Sequence, residues 1–370
     1  MITNLFPDRK QPTFGTFMSS HVAALKRAGA DVHVAAIQGA AVHTDIPRKY
    51  VRLFLRAMRL VVARLLRGSR FDIVEAHLAY PTGVVAWPLA RLTRARLVLY
   101  CHGADVNEVG LRSKRHHALA SWLFRRADLL VANSQYTESV LLSRYDVPEA
   151  RVVVWSPGID TDIFHPMPDL PRSASRVLFV GRLDTEKGVH VLIDAMHELR
   201  EQGLALRIVG TGPGREALEV KARDHGIVIE FVGGLAPVDV AREMAQAPVL
   251  VVPSVYAEPL GLVALEGMAS GALVVASWTG GLVESVDPGR SGWLVPPGDA
   301  QALAMAVAEA VALANASHDP RLAEYREAAQ RRAAEHDIYR IAAAALVSYA
   351  ELAGVAVRQD PSVTRRRDAA

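Results

Sequence analysis

Val249-Leu250-Val251-Val252, followed after a short loop by Glu258-Pro259-Leu260-Gly261-Leu262-Val263-Ala264-Leu265-Glu266, is the most informative stretch of this 370-residue chain. The first four residues are apolar without alternation, the pattern of a strand buried on both faces of a parallel sheet. The segment from Glu258 starts in a loop and enters a helix. A helix N-terminus offers unpaired backbone N–H groups and a positive dipole end, which suits a diphosphate. Gly261 lets that backbone approach a ligand closely. Glu258, ahead of the helix, can accept hydrogen bonds from sugar hydroxyls, and Glu266, inside it, can reach a ribose diol. The plain alternative is a loop carboxylate and a solvated helix glutamate, and spacing alone leaves both open.

Outward from this stretch, short runs rich in Val, Ile and Leu alternate with helical patterns, the signature of βαβ units. Strands are predicted at residues 32–37, 71–76, 96–101, 129–132 and 152–155, and again at 177–180, 206–209, 227–231, 249–252 and 273–276. The expected fold class is α/β, with two doubly wound parallel sheets. Ser156-Pro157-Gly158 and the run His165-Pro166-Met167-Pro168-Asp169-Leu170-Pro171 would interrupt any regular element. The domains are therefore drawn at 1–165 and 172–335, followed by a segment at 336–356 and a disordered tail at 357–370. Helices are expected at 300–313, 320–335 and 338–352. Only residues 1–5 precede Phe6-Pro7, short for a buried parallel strand, and this predicts a start that lacks a few upstream residues.

Composition narrows the function classes. With 51% hydrophobic and 22% charged residues the chain can bury substantial cores. A single cysteine, Cys101, excludes an internal disulfide framework and fits a reducing, cytoplasmic compartment. No uncharged run is long enough to span a bilayer. Residues 1–165 carry 22 Lys and Arg against 13 Asp and Glu, a net of +9, and the remainder carries 20 against 26, a net of −6. Such a split speaks to partners: anionic lipid, nucleic acid or a phosphorylated acceptor. From Arg48 to Arg70 there is no acidic residue. Lys49, Arg52, Arg56 and Arg59 fall on one helical face, and Val51, Leu55, Met58, Val62 and Leu65 on another. This reads either as an interfacial helix on anionic membrane or as a helix packed on the sheet with a solvated basic face.

Further glycine-bearing loops follow predicted strands. Gly181-Arg182-Leu183-Asp184-Thr185-Glu186-Lys187-Gly188 places two cations at the carboxyl edge of a parallel sheet, where open α/β folds bind ligands. Gly210-Thr211-Gly212-Pro213-Gly214 invites a dinucleotide reading, but its spacing is G-x-G-x-G and Pro213 lacks an N–H. It reads as a loop bordering a nucleotide. Gly15 precedes a helix with Met18, Val22 and Leu25 on its apolar face and Gly29 as its stop. His102-Gly103-Ala104-Asp105 ends the strand at 96–101, placing an imidazole at a sheet edge, either as a structural histidine or as a functional one.

Taken together, these segments resemble the retaining glycosyltransferases of family 4, also called group 1, whose architecture is the GT-B fold of two Rossmann-like domains facing across a cleft. The resemblance runs from the Gly15 loop through His102 to Asp105, Gly181 to Gly188, the Glu258/Glu266 pair and Gly271 to Ser277, to Gly280-Gly281-Leu282-Val283-Glu284. It implies that Arg182 and Lys187 hold a donor diphosphate with help from the N–H groups near Leu262 and Val263. It implies that Glu266 binds the ribose and Glu258 the transferred sugar. Gly181, Gly210, Gly212 and Gly261 would complete the donor site, with His102 and Gly15 opposite, from the acceptor domain. The last helix would cross back to the first domain. The chain departs from the family pattern at Gly15, where a glycine pair is common, at Leu260, where phenylalanine is common, and at Ser156-Pro157-Gly158, where Asn-Gly is common.

The implied activity is transfer of a sugar from a UDP- or GDP-linked donor to a glycan or lipid-linked acceptor, as in cell-surface polysaccharide or glycolipid synthesis. No metal or other cofactor is expected, because arginine, lysine and a helix end can stabilise the departing phosphate. The implied partners are the nucleotide sugar and its acceptor, with peripheral contact to anionic membrane and no nucleic acid. A nucleotide-sugar 2-epimerase of the same fold, or a non-catalytic sugar-nucleotide-binding subunit, are the alternatives.

Overall fold

The computed structural model of the chain describes residues 1–7, 15–37 and 46–356. It divides into two compact units, residues 1–158 with 338–370, and 159–337. The tail expected at 357–370 lies outside the described residues.

The first unit runs β1 (Ile2–Thr3), α1 (Thr16–Arg27), β2 (Ala35–Ala36), α2 (Ile46–Leu66), β3 (Ile73–His77), α3 (Ala79–Thr93), β4 (Arg96–Cys101), α4 (Ala104–Asn107), α5 (Lys114–Phe124), β5 (Leu129–Ala132), α6 (Gln135–Arg144) and β6 (Val152–Val154). Its strands are all parallel in the order β2-β1-β3-β4-β5-β6. The order reverses between β1 and β3, which makes this the switch point of the sheet. The strand predicted at 32–37 shrinks to two residues. Among the described residues it pairs only with β1, through Ile2↔Ala35 and Thr3↔Ala36, and a two-residue neighbour can hold no longer ladder.

The second unit runs β7 (Arg176–Val180), α7 (Val189–Glu198), β8 (Ala205–Val209), α8 (Arg215–Asp224), β9 (Ile229–Gly233), α9 (Pro237–Gln246), β10 (Val249–Val252), α10 (Leu262–Ala269), β11 (Leu273–Ser277), α11 (Leu282–Ser285), β12 (Gly292–Val295), α12 (Ala300–Asn315) and α13 (Pro320–Glu335). Its order, β12-β11-β10-β7-β8-β9, is that of a dinucleotide-binding sheet, with the switch point between β7 and β10. Strand β12 is an addition to the sequence prediction. The core closes tightly at this centre: Leu250 is fully buried, and its Cδ2 would lie 2.3 Å from a Cβ placed on Gly267 of α10.

The boundary lies earlier than the proline-rich run suggested. Ile159 and Phe164 are buried with Leu178, Leu250 and Leu265 in the second unit, and Ile159 forms a parallel bridge with Asp337. The last helix, α14 (Ile338–Ala353), belongs to the first unit. Ile338 and Ala342 pack with Ala24 and Leu25 of α1, and the Tyr349 hydroxyl donates to the Tyr100 hydroxyl at 3.3 Å.

Helix α2 does not bury the apolar face read from its sequence. It packs inward through Leu53, Ala57 and Val61, while Val51, Leu55, Val62, Leu65 and Leu66 are exposed, Leu66 by 83%. Among the described residues no single helix is long and apolar enough to cross a membrane.

Replacing Leu250 by Ala should leave a cavity between β10 and α10 and destabilise the second unit by about 2–5 kcal/mol. Hydrogen exchange should show faster opening in β7, β10 and β11 while β3 to β5 keep their protection.

Candidate active site

Parallel pairing of β7 with β10, Val249↔Val177 and Leu250↔Leu178, sets the ends of these strands side by side. The loops that leave them are then stitched together. Val255 N–H donates to the Glu186 carbonyl at 2.9 Å, and Gly188, at φ +70°, sits so close to Pro253 that a Cβ would stand 1.8 Å from its carbonyl oxygen. Asp184 caps the short turn of the first loop by accepting from Lys187 N–H at 3.2 Å.

This stitching brings Lys187 and Glu258 together. Lys187 Nζ donates to Glu258 Oε1 at 2.6 Å and to the Tyr256 hydroxyl at 3.1 Å; Tyr256 donates to Glu258 Oε2 at 2.8 Å, and the Ser254 hydroxyl to Oε1 at 2.6 Å. The Glu258 side chain is 8% exposed and that of Lys187 22%. Both carboxylate oxygens are therefore occupied, and the carboxylate is fixed in direction. Burial and the adjacent Glu258 carboxylate push the Tyr256 phenol well up, keeping it a donor.

Arg182 takes a different place. Its side chain is 73% exposed and ion-paired with Asp184 at 2.5 Å, outside the Lys187 to Glu258 cluster. Gly210 and Gly212 serve backbone packing: a Cβ on Gly210 would lie 1.8 Å from the Gly181 carbonyl oxygen, and one on Gly212 2.4 Å from that of Leu183. These close approaches hold the loop beyond β8 against the loop carrying Arg182. Gly261, at φ +84°, starts α10, leaving the first N–H groups of the helix, Leu262 and Val263 among them, without helical acceptors. Glu266 lies one turn on and is partly exposed; burial around its carboxyl raises it to about 7.

The Gly280-Gly281 pair braces Glu258 from behind. Gly281 N–H donates to the Glu258 carbonyl at 2.6 Å, and a Cβ on Gly280 would come within 2.2 Å of the same oxygen. Ser285 adds a bond to the Leu260 carbonyl at 2.8 Å.

In the first unit, Gly15 and His102 lie at the carboxyl side of its sheet. Gly15, at φ +67°, packs against the Leu5 backbone, 2.7 Å from a placed Cβ, and starts α1; the Phe17 ring then lies 5.5 Å from the His102 ring. Asp105 is fully buried and accepts N–H bonds from Ala79 at 2.7 Å and from His102 and Gly103 at 3.0 Å. It ties the turn after β4 to the start of α3 and so aims His102. Behind His102 stand Glu75 and His77 on β3 and His21 on α1, all buried. Glu75, His21 and His77 could also supply three ligand atoms to a metal ion.

Sequence reading missed Ser254, Tyr256, Glu75, His77 and His21. The signal for the first two was polar alternation at 254, 256 and 258, and for Glu75 a lone carboxylate within an apolar strand.

Replacing Lys187 by Ala should strand the Glu258 carboxylate among buried neighbours and destabilise the second unit by about 3 kcal/mol. Adding Glu258→Gln to that variant should restore part of the loss, as urea unfolding of the single and double variants would show.

The model for glycosyl transferases group 1 matches residues 161–332, and that for glycosyltransferase family 4 matches residues 15–163. The chain is 34% identical over 279 residues to glycogen synthase of Mycobacterium tuberculosis (strain CDC 1551 / Oshkosh), covering 72% of this chain and 65% of that protein. It spans less than two thirds of the length of the curated relatives it matches. Among solved structures, sucrose-phosphate synthase from Thermosynechococcus elongatus superposes with a TM-score of 0.73 at 25% identity, covering 91% of this chain and 93% of that one. Anabaena HepE in complex with UDP-glucose gives a TM-score of 0.73 at 22% identity, with 94% and 99% covered. With both units matched in turn and two parallel six-stranded sheets in place, the chain belongs to the family 4, or group 1, glycosyltransferases and has the GT-B fold.

Proposed function

We propose that the protein transfers a sugar, with retention, from a UDP- or GDP-linked donor to a glycan or lipid-linked acceptor. The observation that carries this reading is the Lys187–Tyr256–Glu258 cluster, fixed between the two switch-point loops beside the N-terminus of α10. Lys187, Arg182 and the N–H groups of Leu262 and Val263 supply positive charge where a diphosphate would leave. Glu258 is held to receive sugar hydroxyls, and Glu266 the ribose diol. That Anabaena HepE was solved with UDP-glucose supports a uridine donor.

In the proposed reaction the acceptor oxygen bonds to the anomeric carbon on the face the diphosphate leaves. The bond to the diphosphate breaks, and the hydroxyl proton passes to the departing phosphate oxygen. The scheme assigns charge stabilisation to side chains and a helix end and requires no metal. The first unit takes the acceptor, with Gly15 and His102 at its crevice.

We further propose that α2 rests on an anionic membrane on the inner face of the cell membrane. Val51, Leu55, Val62, Leu65 and Leu66 are exposed together with Arg52, Arg59 and Arg67. An apolar stripe flanked by arginines suits an anionic lipid interface, at about 1 kcal/mol per basic residue.

At about 100 times its dissociation constant the right nucleotide adds roughly 2.7 kcal/mol to stability. A thermal shift should appear for UDP or GDP but not CMP, and be lost in Lys187→Ala; no shift with any nucleotide would overturn the donor assignment. Glu266 adds a pH signature. Its folded value, about 7, lies above that of a free carboxyl, so its contribution to stability is full at low pH and is lost as pH rises through about 7. A ribose diol favours the ionised form, so nucleotide binding near pH 7 should release a proton. Calorimetry in buffers of different ionisation enthalpy should detect this release, and Glu266→Gln should abolish it. For α2, wild type should bind anionic vesicles better than a chain with Arg52, Arg59 and Arg67 reversed to Glu, and equal binding would rule the contact out.

A further inference from the structure

Helix α11 is one turn long, and it meets the loop from Glu258 to Gly261 at three points. Gly281 N–H, at its start, donates to the Glu258 carbonyl at 2.6 Å, and the Ser285 hydroxyl, at its end, donates to the Leu260 carbonyl at 2.8 Å. Between them the fully buried Leu282 side chain lies against Gly261, where a placed Cβ would stand 2.3 Å from Leu282 Cδ2. The Glu258 side chain has its own partners in Lys187, Tyr256 and Ser254. The backbone at Leu260 and Gly261, which sets where the N–H groups of Leu262 and Val263 point, is held by α11 instead.

A helix this short does not hold itself in place, because its last carbonyls have no helical donors. One of them, that of Glu284, accepts from Arg332 Nη2 on α13. Arg332 Nη1 donates to Glu335 Oε2 at 2.6 Å, and its Nε is buried with no acceptor among the described residues, so the two Nη contacts fix the guanidinium. Helix α13 is itself anchored, since Ala329 and Ala333 are buried in one cluster with Leu265 and Met268 of α10. Side chains do not fill the space between α11 and α13. A cavity of about 510 Å³ lies there, with Val283, Glu284, Val286, Ala328 and Arg332 among its lining, and the guanidinium reaches α11 beside it.

We infer that Arg332 is a positioning residue for donor binding: through the Glu284 carbonyl it holds α11, and α11 holds the backbone that presents the Leu262 and Val263 N–H groups. The role in donor binding rests on the glycosyltransferase reading above; the link from Arg332 to α11 does not. The assignment separates two parts of the donor. The N–H groups meet the diphosphate, which a free nucleotide and its sugar conjugate share. Glu258 meets the sugar, which only the conjugate carries, and its side chain keeps its partners when α11 loosens. Loss of the Arg332 contact therefore weakens both ligands by one factor and leaves their ratio unchanged.

The test compares the full-length wild type with Arg332→Ala and Arg332→Lys, well below their melting temperatures. Hydrogen exchange in Arg332→Ala should be faster over residues 279–286 and 260–264 while β7 and β8 keep their protection, and Arg332→Lys, which retains a cationic donor, should recover most of the difference. Calorimetric titration should show UDP and UDP-glucose each bound about tenfold more weakly by Arg332→Ala, with GDP and GDP-mannose as the pair if guanine is the base bound. A residue that served stability alone would melt earlier when replaced and bind nucleotide as before. Unchanged exchange over 279–286, faster exchange with unaltered affinity, or a loss confined to the sugar conjugate would each overturn the inference. Should Arg332→Ala not fold, Glu335→Gln, which weakens only the hold on Nη1, should give the same changes at smaller size. If the wild type binds no nucleotide, the transferase reading fails, and the exchange result still decides whether Arg332 holds α11.

Discussion

The pairing of β7 with β10 is the constraint on which the second unit's chemistry depends. Two strands distant in sequence run side by side only because the order of the sheet reverses there, and that reversal leaves their outgoing loops without a crossover above them. The loops then touch so closely, through Gly188 against Pro253 and Val255 against Glu186, that a lysine from one and a glutamate from the other share a proton contact at 2.6 Å. Neither side chain could be held in this way from a single loop. The glycine pair at 280 and 281 pushes from the other side, so Glu258 is fixed by backbone packing as well as by its own hydrogen bonds.

The first unit has a different strand order with a switch point of its own, and uses it differently. Its reversal lies between β1 and β3, and the groups gathered near it are aromatic rings and imidazoles around one buried carboxylate. Asp105 ties the turn carrying His102 to α3 by three backbone bonds. One unit thus offers cations and a helix end, the other imidazoles and rings gathered round a buried carboxylate. The excess of basic residues in the first unit lies elsewhere, on α2 and its surroundings.

Where local pattern and tertiary environment agree, the sequence was readable. The strands at 96–101, 129–132 and 249–252 are central, apolar but for Arg96 at the first strand's start, and were placed to the residue. The edges were not: β2 is cut short by its partner, and β12 begins at a glycine and contains a partly exposed tryptophan, so it carries no clear strand pattern. β9 lies two residues beyond its prediction because its ladder with β8 runs on to Gly233. The acidic pair and the two cations were legible as candidates because carboxylates and bases after a strand are chemically conspicuous. That Lys187 and Glu258 pair directly, whereas Arg182 does not join them, depends on the contact of two loops some seventy residues apart and has no local signature. For the same reason the His102 support was invisible: the predicted strand stopped one residue before His77.

The chain passes between its units twice, and both passages fall at the same spot within each unit. A Cβ on Gly158 would lie 2.7 Å from Ile338 Cα, while Ile159 already bridges to Asp337. The nucleotide-type sheet is therefore a cassette set into the other unit, with its entry and exit adjoining. Its own termini meet, and so do the two ends left behind. Such an arrangement lets the second unit be exchanged by recombination between related genes without rethreading the host sheet, since only two neighbouring backbone joins need to be remade.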